Sequence, residues 1–460
     1  MSLCGRGRAP RGQIQGTRRG QNRGAWAVSV ARPTVSSPLV ASLEFWPPFG
    51  YGQAQYTCHN ITGGPVPAPL FKIAGLFAGI GGVELGFKRA LGHDVETTMF
   101  CEWWEPAKHV LTARFPGVEV HPDVRELTDL PADANLVTAG FPCTDLSQAG
   151  RTAGITGENS GLVKHVFEVL RLVSQTRTLP TLLIENVPNM LALNRGRAME
   201  YLVQEIEALG YRWAYRVVDS RFTGVPQRRR RVILVASVDL DPREVLFADD
   251  AGLRAAEDLA DDAFGFYWTE GRGGLGWAQD AVPTLKGGST IGIPSPPAVW
   301  IPDGAIGRRF LKPSIEDTEA MQGFDRGWTA VEGVSTRKNG PRWKLVGNAV
   351  TVGVAQWVAG RLAEPGPVVA EYAPWEARRG SWPTAAWGEN GKVWTVPGLS
   401  EFPKHQPYKH LSDEIDVDVA EPLTVRGATG FFNRLQQGNL GRHPGFREDV
   451  VEHIEALTAL

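Results

Sequence analysis

An α/β fold built on a mostly parallel sheet is predicted by two observations. Short apolar strands alternate with helices of about ten residues between Phe71 and Ala236, and a glycine-rich turn follows the first strand. A third observation sets the layout. The alternation stops at Ala236, gives way to a Gly-, Pro- and Trp-rich stretch over 265–307, and returns near Lys312.

The elements follow in order. Lys72 to Phe77 reads as a buried strand running into Gly79-Ile80-Gly81-Gly82. Val83 to Leu91 reads as a helix with Val83, Phe87, Ala90 and Leu91 on one side. Thr97 to Cys101 is the next strand, Ala107 to Phe115 the next helix, and Leu136 to Ala139 a strand. Leu162 to Val173 spaces Leu162, Val166, Val169, Leu170 and Val173 as an amphipathic helix does. Leu182 to Ile184 is a strand, Met199 to Leu209 a helix, and Val232 to Ala236 a strand. Residues 239–262 are acid-rich, with Asp249-Asp250 and Asp261-Asp262, and read as a solvated face. Ser314-Ile315-Glu316-Asp317 has the pattern of a capping box opening a helix through Met321, and Val350 to Leu362 forms the last helix.

Composition narrows the function classes. The chain has 460 residues and is 42% hydrophobic, enough for a sizeable core. Its formal net charge of −2 excludes a generally basic nucleic-acid coat, so any such contact must come from locally clustered charge. Cys4, Cys58, Cys101 and Cys143 are widely spread, without C-x-x-C spacing, which argues against a zinc site or a disulfide framework and suits a reducing cytoplasm. No apolar run of about 18 residues suggests a membrane span. The first 34 residues carry seven arginines and no acid, and read as a disordered tail. Pro33 to Pro69 reads as a loose extension.

Four local patterns carry candidate chemistry. Cys143 follows Pro142 at the end of an apolar strand, where a polar, Gly-punctuated loop begins. That placement suits a nucleophile at the carboxyl end of an open sheet. The Gly79–Gly82 loop lets backbone approach a ligand closely and leaves helix-start N–H groups to an anion. Glu102 ends the following strand, where an acid can hold ribose hydroxyls, and Trp103 beside it could stack on an adenine. Glu185 follows Thr181 to Ile184 and projects from the same sheet edge as Cys143. In strand geometry Arg229 and Arg231 share one face, and Arg228 and Arg230 the other.

With Phe77-Ala78-Gly79-Ile80-Gly81-Gly82, Pro142-Cys143 with Ser147, Glu185-Asn186-Val187 and Gln227-Arg228-Arg229-Arg230-Arg231 in this order, the chain resembles the cytosine-C5 DNA methyltransferases over roughly residues 71 to 362. Thr144-Asp145-Leu146 departs from the commonest wording of that family's loop. The resemblance implies a Rossmann-like S-adenosylmethionine-dependent methyltransferase sheet with a small irregular target-recognition domain. The catalytic domain would span 71–236 and 308–362 and the recognition domain 237–307, with 1–70 and 363–460 as extensions. It implies S-adenosylmethionine as methyl donor, held by Phe77, Gly79, Gly81, Glu102, Trp103, Asp123, Val124, Pro142 and Asn348, and no metal. Asn348 stands in Gly347-Asn348-Ala349-Val350, similar to the family's closing motif.

The chemistry explains the other parts. Cytosine C5 is a poor nucleophile. A Cys143 thiolate adding at C6 activates it, provided that a group such as the Glu185 carboxyl meets the ring nitrogen N3. By resemblance Arg231 steadies the cytosine and Arg229 packs behind it, while Asn186 supports the loop. A base in a duplex must flip out to be reached. The loop from Thr144 to Ser160 would close over it, with Ser147 and Arg151 on backbone phosphate. Gln227, Arg228, Lys286 and Arg309 are further expected DNA contacts. Pro283 to Thr290 is the expected backbone-approach segment, and Thr424-Val425-Arg426-Gly427-Ala428-Thr429 echoes it in residue class. The partners implied are double-stranded DNA and a cognate restriction endonuclease acting separately, for a cytoplasmic monomer of the bacterial or phage kind. An RNA cytosine-5 methyltransferase and a non-catalytic nucleic-acid binder on the same fold are the alternatives.

Overall fold

The computed structural model describes residues 70–142, 161–269, 274–287, 297–337, 340–376 and 380–459. Its main element is a ten-stranded sheet. Five strands come from the first half of the fold: β1 (Phe71–Leu76), β2 (Val95–Cys101), β3 (Glu119–His121), β4 (Leu136–Ala139) and β5 (Thr181–Asn186). β6 (Arg212–Asp219) follows, then β7 (Gln227–Arg228), which lies outside the sheet, and β8 (Arg230–Ser237). In spatial order the first part runs β3-β2-β1-β4-β5-β8-β6. β1 pairs in parallel with both β2 and β4, so chain direction around the sheet reverses between β1 and β4, the switch point at which open sheets bind ligands. Within this part β8 runs against both its neighbours, β5 and β6.

Alternation along the strands builds two apolar layers. Leu182, Ile184, Val232 and Leu234 face α3 (Val163–Ser174) and α4 (Arg197–Ala208), once α1 (Gly82–Leu91) and α2 (Glu105–Arg114) have been placed at the other end. Leu183, Ile233 and Val235 face the opposite layer with Phe87 of α1. On α3, Val163, Val166, Phe167, Leu170 and Val173 are all buried, at ~1.5–3 kcal/mol for each large side chain removed from water. The second layer is completed by α5 (Pro242–Leu246) and, after α6 (Ile315–Met321) and α7 (Arg342–Asn348), by α8 (Val352–Ala363). α1 and α8 approach closely because Gly86 has no side chain: a Cβ there would lie 2.5 Å from that of Ala355.

A second, five-stranded sheet is assembled from distant segments. Its order is β10-β9-β12-β13-β17, with β9 (Phe264–Phe266), β10 (Ala278–Gln279), β12 (Ala298–Trp300), β13 (Phe310–Lys312) and β17 (Glu421–Pro422). The short β11 (Val282–Pro283) pairs in parallel with β7 and so ties this lobe to the main sheet. Helices α10 (Val425–Gly438) and α11 (Phe446–Thr458), which follow the single turn α9 (Leu411–Glu414), cover one face with Phe431, Leu435, Phe446 and Val450 packed on Phe266, Trp300 and Phe310.

Four expectations are corrected here. Residues 239–262 are not uniformly solvated, since Val245, Leu246 and Phe247 are fully buried under α8. The boundary at 307 is crossed, because Phe310–Lys312 is a strand of the same sheet as Ala298–Trp300. Residues 363–460 are no appendage. β14 (Ala373–Pro374), β15 (Ala385–Glu389) and β16 (Lys392–Thr395) extend the main sheet beyond β6, and β17 with α10 and α11 completes the small one. Trp382 and Trp387, buried over this edge, explain the aromatic richness of the tail. Finally, Val425–Thr429 is the first turn of α10, with the Thr424 hydroxyl accepting the Gly427 N–H as an N-cap, and is no backbone-approach loop. The capping box at Ser314 forms as the sequence indicates.

Candidate active site

Register brings the carboxyl ends of four parallel strands level. Cys101 pairs with Leu76, Leu76 with Ala139, and Ala139 with Ile184. One residue further along each strand stand Glu102, Phe77, Gly140 and Glu185. Phe77 adopts φ 54°, unusual for an aromatic residue, and its ring meets that of Phe141 edge to face at 6.2 Å. The turn then continues through Gly79 and Gly81, both at positive φ. At Gly81 a Cβ would lie 2.3 Å from the Phe115 ring, so only glycine fits. Gly81 caps α1 with no side-chain hydrogen bond.

A cleft of about 240 Å³ opens beside this turn, lined by Phe77, Glu102, Trp103, Asp123, Val124 and Leu162. Glu102 is buried at its base. Its carboxylate accepts the Gly79 N–H and the Trp104 N–H, each at 2.9 Å, while burial raises its pKa. Trp103 is 69% exposed at the rim. Asp123 is engaged with Arg125, which holds its carboxyl below the usual range, so Val124 supplies the apolar wall. An apolar slot with one buried carboxylate fits the ring and hydroxyls of a nucleoside. Leu162 was not foreseen there, because α3 meets the cleft only in the tertiary fold.

A smaller pocket of about 50 Å³ lies across Phe77, lined also by Gly79, Glu84, Glu185, Asn348 and Val350. Glu185 receives Arg231: Nε lies 2.8 Å from Oε1, with both side chains largely buried. The contact is a close ion pair whose angle falls short of a hydrogen bond. Arg231 also donates to the Arg230 carbonyl, and burial draws its pKa down. Asn186 donates from Nδ2 to the Phe141 carbonyl at 3.0 Å and accepts the Val187 N–H, fastening the segment that enters Pro142 to the end of β5. Pro142 is exposed at the last described position before Cys143. Cys143, Ser147 and Arg151 lie outside the described residues.

The neighbouring polar residues are held by the fold. Arg229 is 1% exposed and donates to the carbonyls of Leu285, Gly347 and Ala349 at 3.0, 3.2 and 2.7 Å. It clasps the 285 segment to the turn after α7, and its burial, with Arg231 nearby, pulls its pKa well down. A guanidinium so enclosed cannot touch a base. Gln227 is fully buried, donating to the Met321 carbonyl and to Gln322 and accepting the Leu285 N–H. Arg228 donates to the Gly276 carbonyl at 3.0 Å. Arg309 pairs with Asp449 and Glu452 of α11, each at 2.6 Å. These three are engaged within the protein. Lys286 is exposed, its ammonium 3.9 Å over the Tyr267 ring. Asn348 is exposed beside Gly287, where a Cβ would lie 2.6 Å from Asn348 Oδ1.

Glu84 went unnoticed in the sequence. It is 1% exposed on α1, and Oε1 accepts the Thr138 hydroxyl at 2.9 Å, in space left by Gly75. Oε2 is buried without a hydrogen-bond partner, and burial raises its pKa to about 7. Nothing in its spacing distinguishes it from a surface residue of a first helical turn. Among the described residues no three His, Cys, Asp or Glu converge on a metal position, and no helix is long and apolar enough to cross a membrane.

Comparison with known proteins bears on this geometry. A family model described as C-5 cytosine-specific DNA methylase matches residues 71–246, the strands that build both pockets. The Type II methyltransferase M2.BsuMI of Bacillus subtilis (strain 168) is 44% identical over 370 residues, 79% of this chain and 92% of that protein. The Type II methyltransferase M.MspI of Moraxella sp is 28% identical over 327 residues, 66% of this chain and 73% of that protein. Among solved structures, S. pombe Dnmt2 methyltransferase superposes with a TM-score of 0.48 at 16% identity, covering 64% of this chain and 98% of that one. Identity at this level across nearly the whole of a curated relative settles the matter: the chain belongs to the C-5 cytosine-specific DNA methylases, and is a DNA cytosine-5 methyltransferase.

Proposed function

We propose that the chain methylates C5 of cytosine within one short sequence of double-stranded DNA, through a covalent Cys143–C6 adduct on a base flipped out of the helix. The observation that carries this reading is the Glu185–Arg231 pair at 2.8 Å, beside the Phe141–Asn186 bond that leads into Pro142 and Cys143. Phe77, Gly79, Glu102, Trp103 and Val124 would hold the cofactor's nucleoside, with Gly81 shaping the turn. S-adenosylmethionine supplies an electrophilic methyl group when bound there.

The chain's own residues do the rest. The Cys143 thiolate forms a bond to C6, and the electron pair of the C5–C6 double bond moves into the ring, making C5 nucleophilic. Glu185 meets the charge that develops on the N3 side, as a hydrogen-bond donor in its protonated form. Arg231 holds that carboxyl in place and presents its remaining N–H groups to the base. Once C5 carries the methyl group, its proton passes to water, the C5–H electron pair reforms the C5–C6 double bond, and the thiolate leaves with the C6–S pair.

The relatives are named Type II methyltransferases. A host-protecting role beside a separate restriction endonuclease is the setting that we propose for this chain too. Expression in a methylation-free bacterial host, followed by bisulfite sequencing, tests the function. Protected cytosines confined to one motif, lost in Cys143→Ser while duplex binding persists, are expected. Soluble protein that protects no DNA cytosine would overturn the proposal, and methylated RNA in the same cells would move it to the RNA alternative.

A further inference from the structure

Several cations of the small lobe are engaged within the protein. Arg228 and Arg309 are held as described, Arg308 donates to the carbonyls of Val417 and Ala420, and Lys312 pairs with Glu421 at 2.9 Å. A different surface of the same lobe has the opposite character. From Leu423 to Arg447 the chain contains no acid and four arginines, whereas the preceding stretch holds Asp413, Glu414, Asp416, Asp418 and Glu421. This window is α10 and its exit.

The exposed face of α10 carries Arg426, Thr429, Asn433 and Gln436. At 3.6 residues per turn these four fall within about 80° of helical arc. The opposite side, with Ala428, Phe431 and Leu435, is buried against the small sheet. Arg, Asn and Gln are the side chains that hydrogen-bond base edges in pairs, and a Thr methyl meets the methyl of thymine. A stripe of only these types, free of acid, has the charge and donor pattern of a groove-reading helix rather than of a merely solvated one. α10 is also rigidly held, by the Thr424 cap at one end and by Asn439 in the left-handed region at the other.

A short chain of contacts links α10 to the small pocket. Arg434 of α10 donates to the Trp268 carbonyl at 2.7 Å, and a Cβ at Gly427 would lie 3.4 Å from the Trp268 ring. The preceding residue, Tyr267, donates to the Thr284 carbonyl and lies under Lys286, whose neighbour Gly287 abuts Asn348 at the small pocket. These contacts tie the flank of α10 that carries Arg434 and Gly427 to the segment reaching the small pocket, and leave the exposed stripe on another side of the helix.

We infer that the Arg426–Thr429–Asn433–Gln436 face of α10 enters the major groove of the duplex and reads bases of the target sequence. This rests on the DNA-methylating function proposed above, and places a specificity element far outside the 237–307 insert.

The test uses the full-length chain with Arg426→Ala, Asn433→Ala and Gln436→Ala, singly and together. The positions are exposed and alanine favours helix, so an unchanged thermal midpoint is the folding control. Bisulfite sequencing in the methylation-free host is expected to show the preference for at least one base of the motif falling by about tenfold to a hundredfold. Cofactor binding by the purified variants should stay unchanged. A triple variant that keeps the wild-type motif at every position overturns the inference and leaves the methyltransferase function standing. Should the wild type protect no DNA cytosine, the function itself fails. The inference is then decided by Arg426→Glu on a random-sequence duplex at low salt. About tenfold weaker binding with a shallower salt slope keeps α10 at the duplex, the part of the inference that does not need methylation. Equal affinity, or no duplex binding by the wild type, overturns it.

Discussion

The nucleoside cleft and the five-stranded lobe solve the same problem, holding a rigid surface against a ligand, by opposite routes. The cleft draws on Phe77, Glu102, Asp123 and Val124, which follow three successive strands within about fifty residues of chain. The lobe joins Phe264–Phe266 to Glu421–Pro422, so its core forms only when segments some 150 residues apart meet. Local construction confines the lining of the first to one stretch of chain. Non-local construction makes the second hostage to the end of the chain.

Truncation after Leu362 should break that contrast most severely. It removes Phe431, Leu435 and Phe446 from the lobe, and strips Trp382 and Trp387 from the edge of β6. Each lost aromatic is worth ~3–5 kcal/mol, against a total stability of about 5–15 kcal/mol. Circular dichroism and the soluble fraction are expected to report an unfolded or aggregated chain. A truncated protein with the parent's cooperative melt would refute the idea that the tail is part of the core.

The same contrast explains what was legible in the sequence. Strands ending in Glu102, Ala139 and Ile184 and the turn at Gly79–Gly82 could be read directly, since their signals are short apolar runs and glycines in one stretch of chain. β6 was missed because Arg212, Arg216 and Asp219 interrupt its apolar pattern. Arg216 is in fact buried, donating to the Ser400 and Leu246 carbonyls and pairing with Asp250, with burial lowering its pKa to about 10. The arginines illustrate the limit. Alternation correctly put Arg229 and Arg231 on one side, but only tertiary packing decides that Arg229 is filled with carbonyl acceptors while Arg231 meets Glu185. Likewise a basic residue in a lobe suspected of meeting DNA looks the same in sequence whether it is exposed, like Arg426, or held by two carboxylates, like Arg309.

At the strand ends the expected effects reach turnover as well as folding. Glu185→Gln should lower single-turnover methyl transfer by ~10²–10⁴-fold, the range for a positioned general acid, with cofactor affinity little changed, and should lower the melt because Arg231 loses its counter-charge. Arg231→Ala should lose activity as well, but leaves a buried carboxylate without its counter-charge and so should also destabilise the fold. Equal turnover in Glu185→Gln and wild type would remove Glu185 from the chemistry.

Glu84 sharpens the comparison from inside the local half. Its folded pKa of about 7 lies above the ordinary carboxyl value, so the native state keeps a proton that the unfolded chain has already released. Stability linked to it is therefore fully present at pH below about 4.5 and is lost as pH rises through about 7. Glu84→Gln keeps an acceptor for the Thr138 hydroxyl and removes the titration. It should raise stability at pH 8 by up to about 3 kcal/mol and change little at pH 4.5. Urea melts of both proteins at the two pH values measure this, and a gain equal at both would mean that Glu84 does not titrate in this range.

The smallest effect expected is at Arg309, and it separates structure from DNA contact in the non-local half. Its guanidinium is 22% exposed and bridges Asp449 and Glu452, while Asp449 also accepts the Trp300 indole N–H at 2.8 Å. Arg309→Ala leaves two carboxylates side by side on α11 and removes one tie between that helix and the residue preceding β13. The cost should be about 2 kcal/mol in a denaturant melt. A phosphate contact predicts something else: little change in stability, weaker binding to all sequences, and a salt dependence shallower by about one unit. Because both acceptors belong to the tail, the melt of Arg309→Ala should also lose coupling to substitutions in α11. A double variant with Asp449→Asn should cost less than the sum of the two single changes. Additive costs would mean that the clasp seen between the lobe and the end of the chain contributes nothing to holding them together.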